Sequence, residues 1–351
     1  MEFQGLRIIL FIFLLSGILV LRVQAQRPPQ NPLETVGVES CRDCHEEMVD
    51  AWEKSDHAKS FEVLAKSDEA KKIAEVLSIK PAEIPTTVSC VRCHYTQETL
   101  ASVAQTTEAV SCESCHGGGA GWIEEHNRKS LSRSERVDFS TRLGMAHPDS
   151  IHAITKTCYE CHVVDDEQLV NMTGHPAISD DFEFLSWYSG EVKHNFLVQK
   201  AGKKTKSHTD TPQEIPQARK RMLYLAGKLH HLSHTLKAIG RARDAPVDKK
   251  GDFVRLENGR YTFGVQHALV IDQLKKDLEA VQKKTSISEF TQALVIVRGL
   301  SLKTGQSREI NEAAEKVAKL AEEFCEKHDG KEFAAIDPML KALKPKFSKE
   351  E

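Results

Sequence analysis

One short pattern occurs four times in the first half of this chain: two cysteines three positions apart, with a histidine directly after the second. The copies are Cys41-Arg-Asp-Cys44-His45, Cys90-Val-Arg-Cys93-His94, Cys112-Glu-Ser-Cys115-His116 and Cys158-Tyr-Glu-Cys161-His162. This spacing is the attachment signature of c-type haem, in which both thiols form thioethers with the porphyrin and the histidine binds the iron. The sequence therefore predicts four covalently bound haems, whose proximal ligands are the four motif histidines.

The closeness of the motifs limits how the first half of the chain can fold. All four lie between Cys41 and His162, which leaves too few residues per cofactor for separate globin-like pockets. The porphyrins must share walls, and they supply apolar bulk to a chain in which aromatic residues make up only 6%. We expect a compact multihaem cytochrome c unit with little regular sheet over residues 36–198.

The second half of the chain shows the apolar periodicity of helices. Stripes run from Leu223 to Ile239, from Val265 to Val281, from Phe290 to Leu302 and from Ile310 to Phe324. They predict an α-helical bundle within a second unit, residues 199–351, which begins with a polar linker. The fold class expected for the whole chain is mainly α.

The N-terminus predicts export. The apolar run from Ile8 to Leu21 spans about 21 Å as a helix, short of the roughly 30 Å hydrocarbon core of a bilayer. Small residues at Val23 and Ala25 suit signal-peptidase cleavage. The prediction is a signal peptide at 1–25, a tether at 26–35 and a periplasmic or otherwise exported protein; the alternative is a retained segment that tethers it to the membrane.

A longer set of residues resembles the tetrahaem cytochrome c-554 family of ammonia oxidisers. The likeness spans roughly residues 36–164. It rests on the first motif with Trp52 and His57-Ala58-Lys59, on the run from Val110 to Gly119, on His126-Asn127-Arg128-Lys129, and on His152 six residues before Cys158.

The resemblance implies three haems with two histidine ligands and one five-coordinate haem. Carried over by position, it pairs His126 with His45, His57 with His116, and His152 with His162. The second haem, held by His94, would keep an open or weakly filled face. His175 and His194 lie outside the matched region, and either is a weaker candidate to close that face.

The residues themselves add three expectations. Cys44–Ser60 is predicted as one helix, which puts His57 about 18 Å from His45 and assigns it to a different iron. The histidines at 230, 231 and 234 are predicted on an exposed helix face; the alternative is a metal site at His230 and His234, which lie four residues apart. Cys325, the ninth cysteine, is predicted as a buried thiol.

These features leave three functions open. Haems with two imidazole ligands would relay single electrons between redox partner proteins. An open second haem could instead act on a small nitrogen compound such as nitric oxide, hydroxylamine or nitrite. Eight thiolates could alternatively close two structural zinc sites, although export and the histidine after every cysteine pair argue against this. No nucleic-acid partner is predicted.

Overall fold

The computed structural model describes residues 31–179, 182–190, 192, 215–243, 253–302 and 306–346. The predicted signal peptide, most of the linker and His194 lie outside the described residues. Within them the protein is mainly α-helical, as predicted, and its only sheet is a two-stranded hairpin. No helix in this described part is both long and apolar enough to cross a bilayer.

The first half is built from short helices, several of which carry a motif. The helices are α1 Val38–Trp52, α2 Asp56–Val63, α3 Asp68–Val76, α4 Val88–His94, α5 Cys112–His116, α6 Arg133–Arg142, α7 Ile151–His162, α8 Glu167–Thr173 and α9 Phe184–Ser189. The hairpin pairs β1 Thr96–Leu100 with β2 Val103–Glu108 in antiparallel register. Helices α4, α5 and α7 each end at the histidine of their motif.

The helix predicted over Cys44–Ser60 is two helices. Helix α1 carries a non-helical residue at His45 and ends at Trp52. The Ser55 hydroxyl then accepts a hydrogen bond from the backbone N–H of Ala58 and caps α2. A serine oxygen stabilises a new helix start because the first backbone N–H groups have no partner within the helix.

The four helices predicted for the second half are confirmed. They are α10 Gln217–Ile239, α11 Phe263–Gln282, α12 Ser288–Arg298 and α13 Ser307–Lys327, followed by the short α14 Asp337–Leu340. Helix α10 packs against α7, α9, α11 and α13. Its leucines lie on more than one side of the helix, and all of them are fully buried. This is typical of a helix at the centre of a bundle.

One apolar core joins the fourth motif to the bundle. Ile154, Tyr159 and Val163, in or just after α7, belong to the same cluster of buried residues as the leucines of α10. A smaller cluster includes Ala74 of α3 and Val91 of α4, and it supports the second motif. The helix of the fourth motif is therefore packed against the second half of the chain.

The prediction of an exposed histidine face on α10 is wrong. His230 is only 1% exposed, and His231 and His234 are partly buried. These histidines are covered because this side of α10 packs against α7 in the folded chain. The ring of His231 stacks there on Tyr159, with ring centres 4.9 Å apart. Cys325 packs against the core, and burial raises the pKa of its thiol to about 12.

Candidate haem-binding site

The helical form of the motifs gathers their reactive groups. Residues three and four apart are neighbours on a helix surface, so the two thiols and the histidine of α4, α5 or α7 lie on one side of its last turns. No disulfide joins any of the nine cysteines, all of which lie in the described part of the chain. The thiols are thus placed for attachment to one flat cofactor at each motif.

Three motif histidines each face a second histidine at nearly the same separation. The ring centres are 6.2 Å apart for His45 and His126, 6.2 Å for His57 and His162, and 6.3 Å for His94 and His175. Two metal–nitrogen bonds of about 2 Å, plus about 1 Å from each nitrogen to its ring centre, span about 6 Å. Each separation therefore matches that expected for two imidazoles on one metal ion.

Backbone carbonyls orient several of these rings. The Nδ1–H of His116 donates to the carbonyl of Ala146 at 2.9 Å, and that of His175 donates to Pro176 at 2.8 Å. His126 makes the same kind of bond to the carbonyl of Ile123. A carbonyl can only accept, so Nδ1 carries the proton and Nε2 keeps its lone pair. Histidines that bind metals are commonly held in this way.

The rings are also kept neutral by burial. Burial lowers the pKa of His94 to about 4 and that of His162 to about 3. Phe182 stacks on the His162 ring, with centres 3.9 Å apart, which adds apolar cover. Neutral imidazole is the form that binds a metal.

The motifs meet in two groups. The first and third are adjacent: α1 packs on α5, and the nearby thiol of Cys112 lowers the pKa of Cys41. The second and fourth are adjacent as well, since the thiol of Cys161 lies 3.9 Å from the carbonyl of Arg92. A charge on His94 would lower the pKa of His162, as expected of neighbouring rings.

Two of the implied pairings need correction. His152 and His162 belong to the uninterrupted helix α7, ten positions apart, a rise of about 15 Å. They cannot bind the same iron. The ring that faces His162 is His57, which the resemblance pairs with His116. His45 and His126 are brought together as the resemblance implies.

The second motif also departs from the resemblance. Helix α8 ends at Gly174, whose backbone is left-handed (φ +75°), and the turn presents His175 to His94. The resemblance implies an open face at this position. Sequence reasoning named His175 only as a weaker candidate, because nothing local in Thr173-Gly174-His175-Pro176 indicates what it faces.

A buried carboxylate ties the third motif to the start of the described chain. Glu113, 1% exposed, accepts hydrogen bonds from the backbone N–H groups of Val36, Gly37 and Gly119. Sequence analysis missed this residue, since a glutamate at a variable position of the motif looks like any surface residue. Its bonds join the backbone just before the first motif to the backbone just after the third.

A buried arginine connects the second motif to the segment after the fourth. The guanidinium of Arg92 lies 3.4 Å from Asp165 and 3.8 Å from Asp166, with its side chain 5% exposed. Asp165 also pairs with Arg241, just beyond α10. Breaking a buried ion pair by removing one partner leaves an uncompensated charge, so this network favours one relative position of the three segments.

The described residues gather no cluster of the kind that the zinc alternative requires. Within the described residues, no cluster of three or more histidine, cysteine, aspartate or glutamate side chains could hold a metal ion. A four-thiolate site needs the sulfur atoms of two motifs to converge. The arrangement instead suits one porphyrin per motif.

Known proteins match the same region. Residues 40–117, which include the first three motifs, match the family described as cytochrome c554 and c-prime. The chain resembles the cytochrome c554 family. Over 134 residues it is 27% identical to cytochrome c-554 of Nitrosomonas europaea, which covers 36% of this chain and 57% of that protein. No solved structure matches the chain.

The resemblance seen in the sequence is thereby confirmed. Both the matched family and the matched relative are described as cytochromes c. The chain spans little more than half the length of that relative. The family match ends at residue 117, before the fourth motif. The bundle from α10 onward therefore lies outside the matched family region.

Proposed function

We propose that this protein is an exported electron carrier that holds four c-type haems and passes single electrons between redox partner proteins. The observation that carries the proposal is the set of three imidazole pairs with ring centres 6.2–6.3 Å apart. A haem with two imidazole ligands supplies reversible one-electron chemistry and offers no free position to a substrate.

Four pairs of ligands follow from the residues. His45 pairs with His126, His162 with His57, and His94 with His175. We take the second ligand of His116 from α7, which packs on α5. We assign His152 there, because the resemblance includes it among the ligands and helix α7 excludes it from the iron of His162. His147 lies near His116 and is the weaker candidate.

The grouping of the motifs supports a relay. The first and third attachment sites adjoin one another, and so do the second and fourth. The two groups are connected near α2: the Trp52 indole donates to the Val110 carbonyl at 2.8 Å, and the Val110 N–H donates to the His57 carbonyl. Val110 leads into the third motif, while His57 faces His162 of the fourth. The chain thus holds the sites of both groups close together.

His175 decides between a carrier and an enzyme. With His175 on the second haem, all four irons have two protein ligands, and the protein carries electrons without a substrate of its own. The alternative is an oxidoreductase that acts on nitric oxide, hydroxylamine or nitrite at an open second haem, as the resemblance implies. The separation of the His94 and His175 rings, 6.3 Å between centres, is that of two ligands on one iron and favours the carrier.

Carbon monoxide binding to the reduced holoprotein tests this choice. We expect no spectral shift in the unaltered protein, and binding at one haem in four after His175→Ala, because the substitution opens one iron. His328→Ala, at the far end of α13, is the control and should behave like the unaltered protein. Binding of carbon monoxide at one haem in the unaltered protein, unchanged by His175→Ala, would support the enzyme instead.

A further inference from the structure

Two histidines from different halves of the chain face each other with unsatisfied nitrogen atoms. The rings of His152, in the first turn of α7, and His230, in the middle of α10, have centres 4.9 Å apart. The Nδ1 atom of His152 and the Nε2 atom of His230 are both buried, and neither has a hydrogen-bond partner. Buried polar nitrogen atoms are rarely left without a partner in folded proteins.

Three of the other candidate ligands show what His152 lacks. His116, His126 and His175 each donate Nδ1–H to a backbone carbonyl. In α7 the carbonyls near His152 belong to the helix, and its Nδ1 has no such bond. A histidine that binds iron through Nε2 needs an acceptor for its other N–H to fix the tautomer and the ring orientation.

His230 can be that acceptor. Rings with centres 4.9 Å apart bring two facing nitrogen atoms to about 3 Å, a hydrogen-bond distance, by rotation of the rings alone. The backbone of His230 is fixed because the residue lies well inside the 23-residue helix α10. The packing of α7 on α10 holds the two rings together.

We infer that His230 accepts a hydrogen bond from the Nδ1–H of His152 and so orients His152 toward the third haem. His230 is a positioning residue: it contacts the ligand and not the iron. The helical bundle then serves the haem unit directly by supplying the partner of one axial ligand. This inference rests on the proposed function, in which His152 completes the site of His116.

A matched pair of variants tests the inference. His230→Gln keeps a side-chain acceptor of similar reach, whereas His230→Leu removes the acceptor and suits a position next to Leu229 and Leu232, both fully buried. Leucine at this position should therefore leave the bundle folded, which circular dichroism checks. The readouts are the EPR spectrum of the oxidised holoprotein and the reduction potentials of the four haems.

We expect His230→Leu to change the EPR signal of one haem in four and to raise its potential, because the ligand imidazole loses electron density without its acceptor. His230→Gln should retain the original signal, and His234→Leu, one turn further along α10, should leave it unchanged. In a His152→Ala background, His230→Leu should have no further effect on the spectrum.

The possible failures can be told apart. Identical spectra for the unaltered protein and His230→Leu, with four haems each bound by two histidines, would overturn this inference and leave the electron-carrier proposal intact. A change of equal size in both His230 variants would also overturn it, since it would reflect packing and not an acceptor. If the unaltered protein lacks four haems or His152 ligation, the proposed function itself fails.

Discussion

At the scale of single residues, the hydrogen bond of one ring nitrogen determines which nitrogen of a histidine is available to a metal. His116, His126 and His175 each have a backbone carbonyl at Nδ1, which leaves Nε2 for a metal. His267 shows a different arrangement, with Nε2 bonded to the Val164 carbonyl at 3.0 Å. That bond uses the Nε2 atom, so this nitrogen of His267 is not available to bind an iron. The bond instead joins α11 to the segment after the fourth motif.

Glu113 gives a prediction at this scale. Glu113→Ala leaves three backbone N–H groups without their acceptor, at about 1–3 kcal/mol for each buried donor. We expect the free energy of unfolding to fall by several kcal/mol, with local opening around the third motif. Denaturant unfolding and hydrogen exchange of Val36, Gly37 and Gly119 measure both. Glu39→Ala on the exposed face of α1 is the control; an equal loss there would show that the three bonds are not the cause.

At the scale of elements, helix α7 holds two candidate iron ligands apart, one near each of its ends. Its last turn carries the fourth motif, its first turn carries His152, and Ile154 and Tyr159 between them are buried in the core shared with α10. The length of this helix is what excludes His152 and His162 from one iron. Local sequence predicted the motif but not the helix that fixes this distance.

Helix α10 carries the second prediction for stability. Leu229→Ala removes a fully buried side chain at its centre, which costs about 2–5 kcal/mol in comparable cores. Leu269→Ala on α11, where the leucine is 39% exposed, should change stability by no more than about 0.5 kcal/mol. Denaturant unfolding followed by circular dichroism compares the two. Similar losses from both would contradict the central position of α10.

Because the core is shared, the Leu229→Ala variant also reports on the fourth haem. The ligation-dependent absorbance of that haem and the helical signal should change in one transition, as expected when two regions unfold together. A bundle that melts while all haem signals stay native would show that the two halves are energetically independent.

At the scale of the whole molecule, the sequence predicted the parts well and their arrangement poorly. The attachment motifs and the helices of the bundle follow from spacing that is local in the chain, so α10 to α13 were predicted correctly. The facing of His57 to His162, the turn that presents His175, and the burial of His230 depend on contacts between distant segments. No local pattern encodes such contacts, and the resemblance carried two of the pairings to the wrong partner.

The central claim is that two imidazoles bind each of the four irons. Quantitative EPR of the fully oxidised holoprotein tests it most directly, because an iron with an empty sixth position is high-spin. The account predicts four haems per chain, all low-spin. A high-spin ferric signal amounting to one haem per chain in the native protein would contradict it.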